Sequence, residues 1–417
     1  MSDNKDLYAA ILGVRAPWQV TEVDVDVKQE LVTVTIASRA STQHACPTCG
    51  QPCPGYDVRR RSWRHLDTCQ FKTVLIADVP RVQCGEHGVL QIVTPWAEPG
   101  SGFTSLMECL VIDWLGEANI SAVARRMRLT WDEIDGVMQR AVRRGLDRRK
   151  LEAIARLGVD ETSFQKRHEY VTVVSDLERN RVLYVADERT HESLDGFWAL
   201  LTPEQLRKIE AVAMDMCAAY VRSTREHLPE ADKKICFDRF HVAKLLNDAV
   251  NGVRKQENRE RAAAGEYVPK HTKYVWAQNP ENMPRERRVS FELLRDCALK
   301  VGRAWAIKDA ARWLWTYSMR GWAERAWKRW IGWALRSRLE PMKKAARTIR
   351  AQLWGIVNAI VLHVTNAGAE SLNAKIQWIK SQACGFRNRE RFKNAIYFHC
   401  GGLDLYPAHG STTHTTS

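Results

Sequence analysis

The sequence predicts a multidomain α/β chain with a large additional helical part, and three observations predict it. Residues 1–100 alternate apolar and polar positions around two close pairs of metal-binding side chains. Residues 101–150 change to a helical period. Beyond them lie short apolar runs, three of which stop on an aspartate, followed by helical patterning across 242–364.

The bulk composition bounds the function. The chain has 417 residues, with 45% hydrophobic and 27% charged, which is ordinary globular usage and leaves room for several domains. It contains no apolar run long enough to span a bilayer, and "MSDNKDLYAA" lacks the basic then apolar start of a secretory signal. A cytoplasmic protein without a membrane partner is expected. Lys and Arg number 63 against 49 Asp and Glu, a formal charge of +14. That excess favours a polyanion, because each phosphate neutralised releases condensed counterions. In a reducing compartment the 11 cysteines serve as core residues and metal ligands rather than disulfides.

From Trp18 to Ser38 the alternation on both sides of "KQE" reads as a β-hairpin. "HACPTCGQPC" and "VQCGEHG" then supply Cys46 with Cys49, and Cys84 with His87. Each pair sits on a Pro- or Gly-rich turn, and 34 residues containing the strand-like "FKTVLIADV" separate them. Two such knuckles joined by a small sheet give the tetrahedral S/N set that zinc prefers, with Cys53 as the substitute ligand.

Within 101–150, "NISAVARRMRLTWDEIDGVMQRAVRRG" has the form of a helix-turn-helix. A helix around Ala122 to Met127 precedes one capped by Thr130, with Glu133 completing a capping box. Ile134, Val137, Met138 and Ala141 fall inward; Trp131, Asp132, Asp135 and Gln139 are expected to face a major groove. Arg125, Arg126, Arg143 and Arg144 complete the candidate DNA contacts.

Past Leu157 three strands follow one another at "RLGVDETSF", "YVTVVSD" and "RVLYVAD", then helix and strand alternate through "IEAVAMD" and "KKICFD". A three-strand meander followed by that alternation is the order of a ribonuclease-H-like domain. In such a sheet the first and fourth strands are neighbours, so Asp160 and Asp215 come together, and their repulsion calls for a divalent cation such as Mg²⁺ or Mn²⁺. Glu161 is expected on the opposite face of its strand, and Asp176, Asp187 and Glu188 at other strand ends. A third carboxylate is offered by "TNAGAESLNAKIQWIK", where Glu370 lies in the first turn of a helix with Thr365 or Asn366 as cap, Asn373 one turn later, and Leu372, Ile376 and Ile379 on the apolar face. Eight of the 16 tryptophans fall between 276 and 333, most at helical-core spacing, with stacking on splayed bases as the other use. The polar tail 409–417 is expected to be disordered.

Together "CPTCG", "RSWRHLD", "VPRVQCGEHG", "GVDETSF", "DRFHV", "TNAGAESLNAKIQ", "GFRNRERF" and "LDLYP" resemble, in order and over nearly the whole chain, the bacterial insertion-sequence transposases with an Asp, Asp, Glu triad, most closely the family named ISL-three. The resemblance implies a triad of Asp160, Asp215 and Glu370, with Asp238 and His241 of "DRFH" in support and the helical region inserted between the second Asp and the Glu. It implies six segments: a zinc-binding β domain at 1–100, a helix-turn-helix at 101–150, catalytic core at 151–241 and 365–408, the Trp-rich insertion at 242–364 and the tail. It further implies zinc, Mg²⁺ or Mn²⁺, binding to terminal inverted repeats and target DNA, a dimer or larger complex, and a place at the bacterial nucleoid. The rival expectation is a non-catalytic DNA-binding protein or repressor derived from such an enzyme.

Overall fold

The computed structural model describes every residue except 1–3, 40–42, 166–168, 267–272, 279, 285–287, 289–290, 293–299, 365–366 and 409–417. The expected caps Thr365 and Asn366 and the expected disordered tail therefore lie outside the described residues. The chain divides into two units, one formed by 1–149, 397–399 and 403–417, the other by 150–396 and 400–402.

In the first unit a short helix, α1 (Asn4–Ile11), leads into the hairpin β1 (Trp18–Asp26) and β2 (Leu31–Ser38). The two-residue strands β3 (His44–Ala45) and β4 (Pro52–Cys53) pair with each other. Then come β5 (Gly55–Thr68), β6 (Phe71–Cys84) and β7 (Gly88–Gln91). The main sheet runs β1-β2-β6-β5, with β7 on β6. Alternation places Val32, Val34 and Ile36 of β2 and Leu75, Ala77 and Val79 of β6 in one core. Trp96 closes that core, packing edge-on against both Trp18 and Trp63.

The helical part of this unit is α2 (Ser105–Glu117), α3 (Ile120–Met127) and α4 (Trp131–Arg148). Arg128 stops α3 by entering the left-handed region at φ 54°, and Thr130 with Glu133 forms the expected capping box. Ile134, Val137, Met138 and Ala141 are buried as the 3.6-residue period requires. Two residues expected on the outer face are buried instead. Asp135 lies three positions before Met138 and seven before Val142 on the inward stripe, and accepts a hydrogen bond from Gln139 at 2.7 Å. Arg144 follows Val137 and Ala141 inward, donates to Glu98, and meets the buried Glu108 at 2.8 Å, so its charge is spent inside the unit. Arg148 pairs with Asp404 at 2.9 Å and Tyr406 donates to Asp113 at 2.7 Å, which fastens the chain's last described segment to the same helices.

The second unit begins with β8 (Arg156–Gln165), β9 (Glu169–Asp176) and β10 (Arg181–Asp187), an antiparallel meander. Helices α5 (His191–Trp198) and α6 (Pro203–Lys208) precede β11 (Ala211–Met214); α7 (Ala218–His227) and α8 (Ala231–Lys234) precede β12 (Ile235–Phe237). Strand order is β10-β9-β8-β11-β12, with β11 parallel to both neighbours. The first and fourth strands of this unit are thus adjacent.

Helices follow: α9 (Arg239–Ala263), α10 (Lys273–Ala277), α11 (Lys300–Trp313), α12 (Arg320–Arg336), α13 (Glu340–Ala351), α14 (Leu353–Val361), α15 (Ala367–Gln382) and α16 (Arg389–Cys400). One continuous apolar core runs from Leu157, Val212 and Ile235 of the sheet into Trp276, Trp305, Trp327 and Trp330 of the helices. Two devices tie helices to sheet. Asn358 of α14 donates to the carbonyls of Asp232 and Ile235, both at 2.8 Å, and Gly355 lets the same helix lie flat on the Phe237 ring.

Candidate active site and metal centre

The metal-binding pairs meet in the first unit. Cys46 and Cys49 flank a turn whose Gly50 has φ 75°, and Cys84 ends β6 just before a turn whose Gly88 has φ 70°. Both glycines occupy the left-handed region that a side chain disfavours, so each knuckle can fold its two ligands toward one point. Ligand atoms of Cys46, Cys49, Cys84 and His87 all lie within 4.8 Å of one another. Their spacings include 3.7 Å for Cys49 Sγ to Cys84 Sγ, 3.5 Å for Cys84 Sγ to His87 Nδ1 and 3.9 Å for Cys46 Sγ to His87 Nδ1. A tetrahedron with Zn–S near 2.3 Å has edges of about 3.8 Å, so the set fits the ion without rearrangement. Backbone N–H groups of Glu86 and His87 lower the Cys84 thiol to about 7, and that of Cys49 lowers Cys46, which favours the thiolate a metal needs. Cys53 is buried beside them, with its thiol turned to the Gln51 carbonyl, and is not one of the four.

On the helix-turn-helix, Arg125, Arg126, Trp131, Gln139 and Arg143 are exposed, with Arg126 stacked 4.5 Å from the Trp114 ring. Arg144 is the exception already described.

In the second unit the three runs that stop on aspartate become three neighbouring strands. Val159 pairs with Met214, and Met214 with Phe237, so Asp160, Asp215 and Asp238 are the next residues along β8, β11 and β12 at one edge of the parallel ladder. This is the edge of an open α/β sheet outside which ligands bind. Burial raises the Asp160 carboxyl, and the charges of Asp215 and Asp238 push it further; the Glu161 N–H and His241 work the other way. His241 is raised in turn, first by its 3.1 Å hydrogen bond to Asp238 and then by the surrounding acids. Asp238 is also the N-cap of α9, accepting from Phe240 N at 3.1 Å. The edge therefore carries more negative charge than its own cations neutralise comfortably, with hard oxygen donors of the type Mg²⁺ or Mn²⁺ takes.

Sequence reasoning missed the main local cation. Arg189 is aimed at the site because Glu188 turns the chain at φ 65°, with its carbonyl held by Thr172 Oγ1 at 2.6 Å. It pairs with Asp215 and, at 2.6 Å, with Glu161. Glu161 thus shares a guanidinium with Asp215 and does not stand apart from the site as alternation alone suggests. The other competing acids have structural tasks: Asp176 is buried and closes the β9–β10 turn through Glu178 N and Arg179 N at 3.1 Å, and Asp187 pairs with Lys393 at 3.4 Å.

Helix α15 lies along β8. Ala369, Leu372, Ile376 and Ile379 form its buried face. Its polar side meets the strand in sequence: Asn373 donates to Asp160 Oδ2 at 2.6 Å, Gln377 to Thr162 at 2.8 Å and Lys380 to the Ser163 carbonyl at 2.8 Å. Glu370 precedes Asn373 by three residues on that same row and is exposed. Among the described residues the Cys46, Cys49, Cys84 and His87 set is the one group whose ligand atoms all approach within 4.8 Å; Asp160, Asp215 and Glu370 do not form such a group.

Comparison with known proteins agrees with this division. A family model described as the zinc-finger of transposase IS204/IS1001/IS1096/IS1165 matches residues 42–87, and one for the helix-turn-helix domain of transposase family ISL3 matches 93–142. A third, the transposase model of that family, matches 157–396, more than half of the chain. The transposase for insertion sequence element IS1557 of Mycobacterium tuberculosis is 26% identical over 419 residues, covering 92% of this chain and 93% of that protein. The transposase for insertion sequence element IS1001 of Bordetella parapertussis is 27% identical over 354 residues, covering 83% and 86%. No described helix is long and apolar enough to cross a membrane. With a zinc ribbon, a DNA-binding helix-turn-helix and a transposase domain in this order, the chain belongs to transposase family ISL3.

Proposed function

We propose that the second unit is a ribonuclease-H-like catalytic domain, that Asp160, Asp215 and Glu370 hold Mg²⁺ or Mn²⁺, and that the chain cuts the ends of its element and joins the freed 3′-hydroxyl to target DNA. The observation that carries this is the row of Asp160, Asp215 and Asp238 on adjacent parallel strands, with Asn373 of the Glu370 helix bonded to Asp160. When bound, two such ions activate the attacking water or hydroxyl and stabilise the leaving oxygen of the phosphodiester.

The protein's own groups prepare that chemistry. Asn373 fixes one Asp160 oxygen and the Glu161 N–H, at 2.8 Å, fixes the other. Arg189 and the Cys217 N–H, at 2.8 Å, do the same for Asp215. The Asp238–His241 pair caps α9 and sets the charge beside Asp160. In this account the helices of 242–364 are an insertion in the catalytic domain. Cys46, Cys49, Cys84 and His87 hold the zinc of the ribbon. Trp131, Gln139 and Arg143 read the terminal inverted repeats, with Arg125 and Arg126 on phosphates. Two ends must be paired, so a dimer or larger complex works on the DNA.

The test is a joining assay with purified protein, Mg²⁺ and a labelled duplex carrying the element's own end. Asp160→Asn, Asp215→Asn and Glu370→Gln each abolish cleavage while end binding persists. Equal loss of end binding in all three variants would overturn the assignment, because it would report damaged folding and not lost metal chemistry.

A further inference from the structure

Seven tryptophans of the helical region lie at two extremes of burial. Trp276, Trp305, Trp327 and Trp330 are buried, and Trp330 also donates to the Ile307 carbonyl at 2.7 Å. Trp313, Trp322 and Trp333 are 64%, 55% and 45% exposed, which core packing does not explain.

Two of the exposed rings share one face of α12. Its inner face is Ala323, Trp327, Trp330, Ile331 and Ala334. The outer face presents Trp322, Arg325, Arg329, Trp333 and Arg336, separated by three, four, four and three residues, which is the spacing of a single stripe. Arg325 stacks 4.2 Å over the Trp322 ring. Among the described residues Arg325, Arg329 and Arg336 have no acidic partner, unlike the salt-bridged arginines of the zinc unit and of the aspartate row. Helix α12 carries five basic residues against the single acid Glu324. A solvated helix face gains nothing from two large rings, whereas rings interspersed with guanidinium groups that lack an acidic partner match a strand of stacked bases on a phosphate backbone.

We propose that this stripe of α12 is a binding surface for unpaired DNA, its rings stacking on bases and its arginines tracking phosphates. This rests on the reading of the chain as a DNA-processing enzyme and adds a substrate class to it: DNA with a single-stranded part, bound apart from the duplex recognised by the helix-turn-helix. The stripe is mounted rigidly. Arg320 at the start of α12 donates to Asn358 at 2.7 Å, and Asn358 grips the Ile235 carbonyl on β12, the strand that Asp238 follows.

The experiment is fluorescence anisotropy of the full chain with a labelled oligothymidylate, beside the fully paired element end. Trp322→Ala with Trp333→Ala weakens oligothymidylate binding by at least about tenfold, since stacking is worth roughly that per base, and leaves duplex binding unchanged. Trp322→Phe with Trp333→Phe keeps the rings and restores most of it. Arg329→Gln with Arg336→Gln reduces the slope of log affinity against log salt by about 1.4 for the single strand. Oligothymidylate affinity that is equal in wild type and the double alanine variant, or absent in both, would overturn the proposal. Neither result touches the joining reaction, which Asp160→Asn tests on its own.

Discussion

At the residue scale the site is governed by the expense of placing carboxylates together. Asp160 is raised by burial and then by its acidic neighbours, so between its ordinary and its folded value the folded chain keeps a proton that the unfolded chain has released. Stability accordingly falls as pH rises through that window. His241 has the same sign: its folded value lies above the ordinary 6.5, so its contribution is complete below the unfolded value and is lost as pH rises through the folded one. In metal-free buffer at neutral pH, Asp160→Asn is therefore expected to melt higher than the parent, with a difference that disappears in acid. A lower melting temperature at neutral pH would show that the carboxylate is held by compensating bonds and not under repulsion. The three aspartates were legible in the sequence because each ends an apolar run. Arg189 was not, because its placement depends on the left-handed turn at Glu188 and no periodic pattern marks that turn.

At the scale of elements, the helix-turn-helix rests on caps and on a buried ion pair. Removing the α4 cap by Thr130→Ala leaves the Glu133 N–H without its partner and costs about 1 kcal/mol, measured by urea denaturation. The fit of α14 on β12 is tighter. A Cβ at Gly355 collides with the Phe237 ring, so Gly355→Ala is expected to cost about 1–3 kcal/mol and, because Asp238 follows Phe237, to lower joining activity as well. Unchanged stability there would mean that the helix can slide without disturbing the strand. Pattern reading located α4, α7 and the hairpin β1–β2 well, since each has a clear apolar period. It assigned no strand at β5, whose residues Tyr56 to Arg60 are all exposed and show no alternation. It placed Asp135 and Arg144 outside because a polar residue on an inward row is indistinguishable from a surface one until its partner, here Gln139 or Glu108, is known.

At the scale of the whole molecule the chain joins a zinc-stapled, DNA-binding unit to a unit that carries the aspartate row. The first unit is expected to depend on the metal of its ribbon. Cys46→Ser with Cys84→Ser is expected to bring zinc, measured by elemental analysis, to near zero, and chelation should lower the melting temperature of the wild type while leaving that of the variant unchanged. Undiminished zinc in the variant would refute the ligand set. The order of domains was legible because knuckles, caps and apolar runs are local signals. The continuity of core from sheet to helical region was not, because it is a matter of which residues distant in sequence meet, as Trp276 and Trp305 do on either side of the Phe291 ring.

The proposed metal-dependent strand transfer by Asp160, Asp215 and Glu370 is tested by comparing wild type with Glu370→Gln on a labelled element end in Mg²⁺. Joined products are expected from the wild type alone, with both proteins binding the end equally. Joined products from Glu370→Gln at the wild-type rate would contradict it.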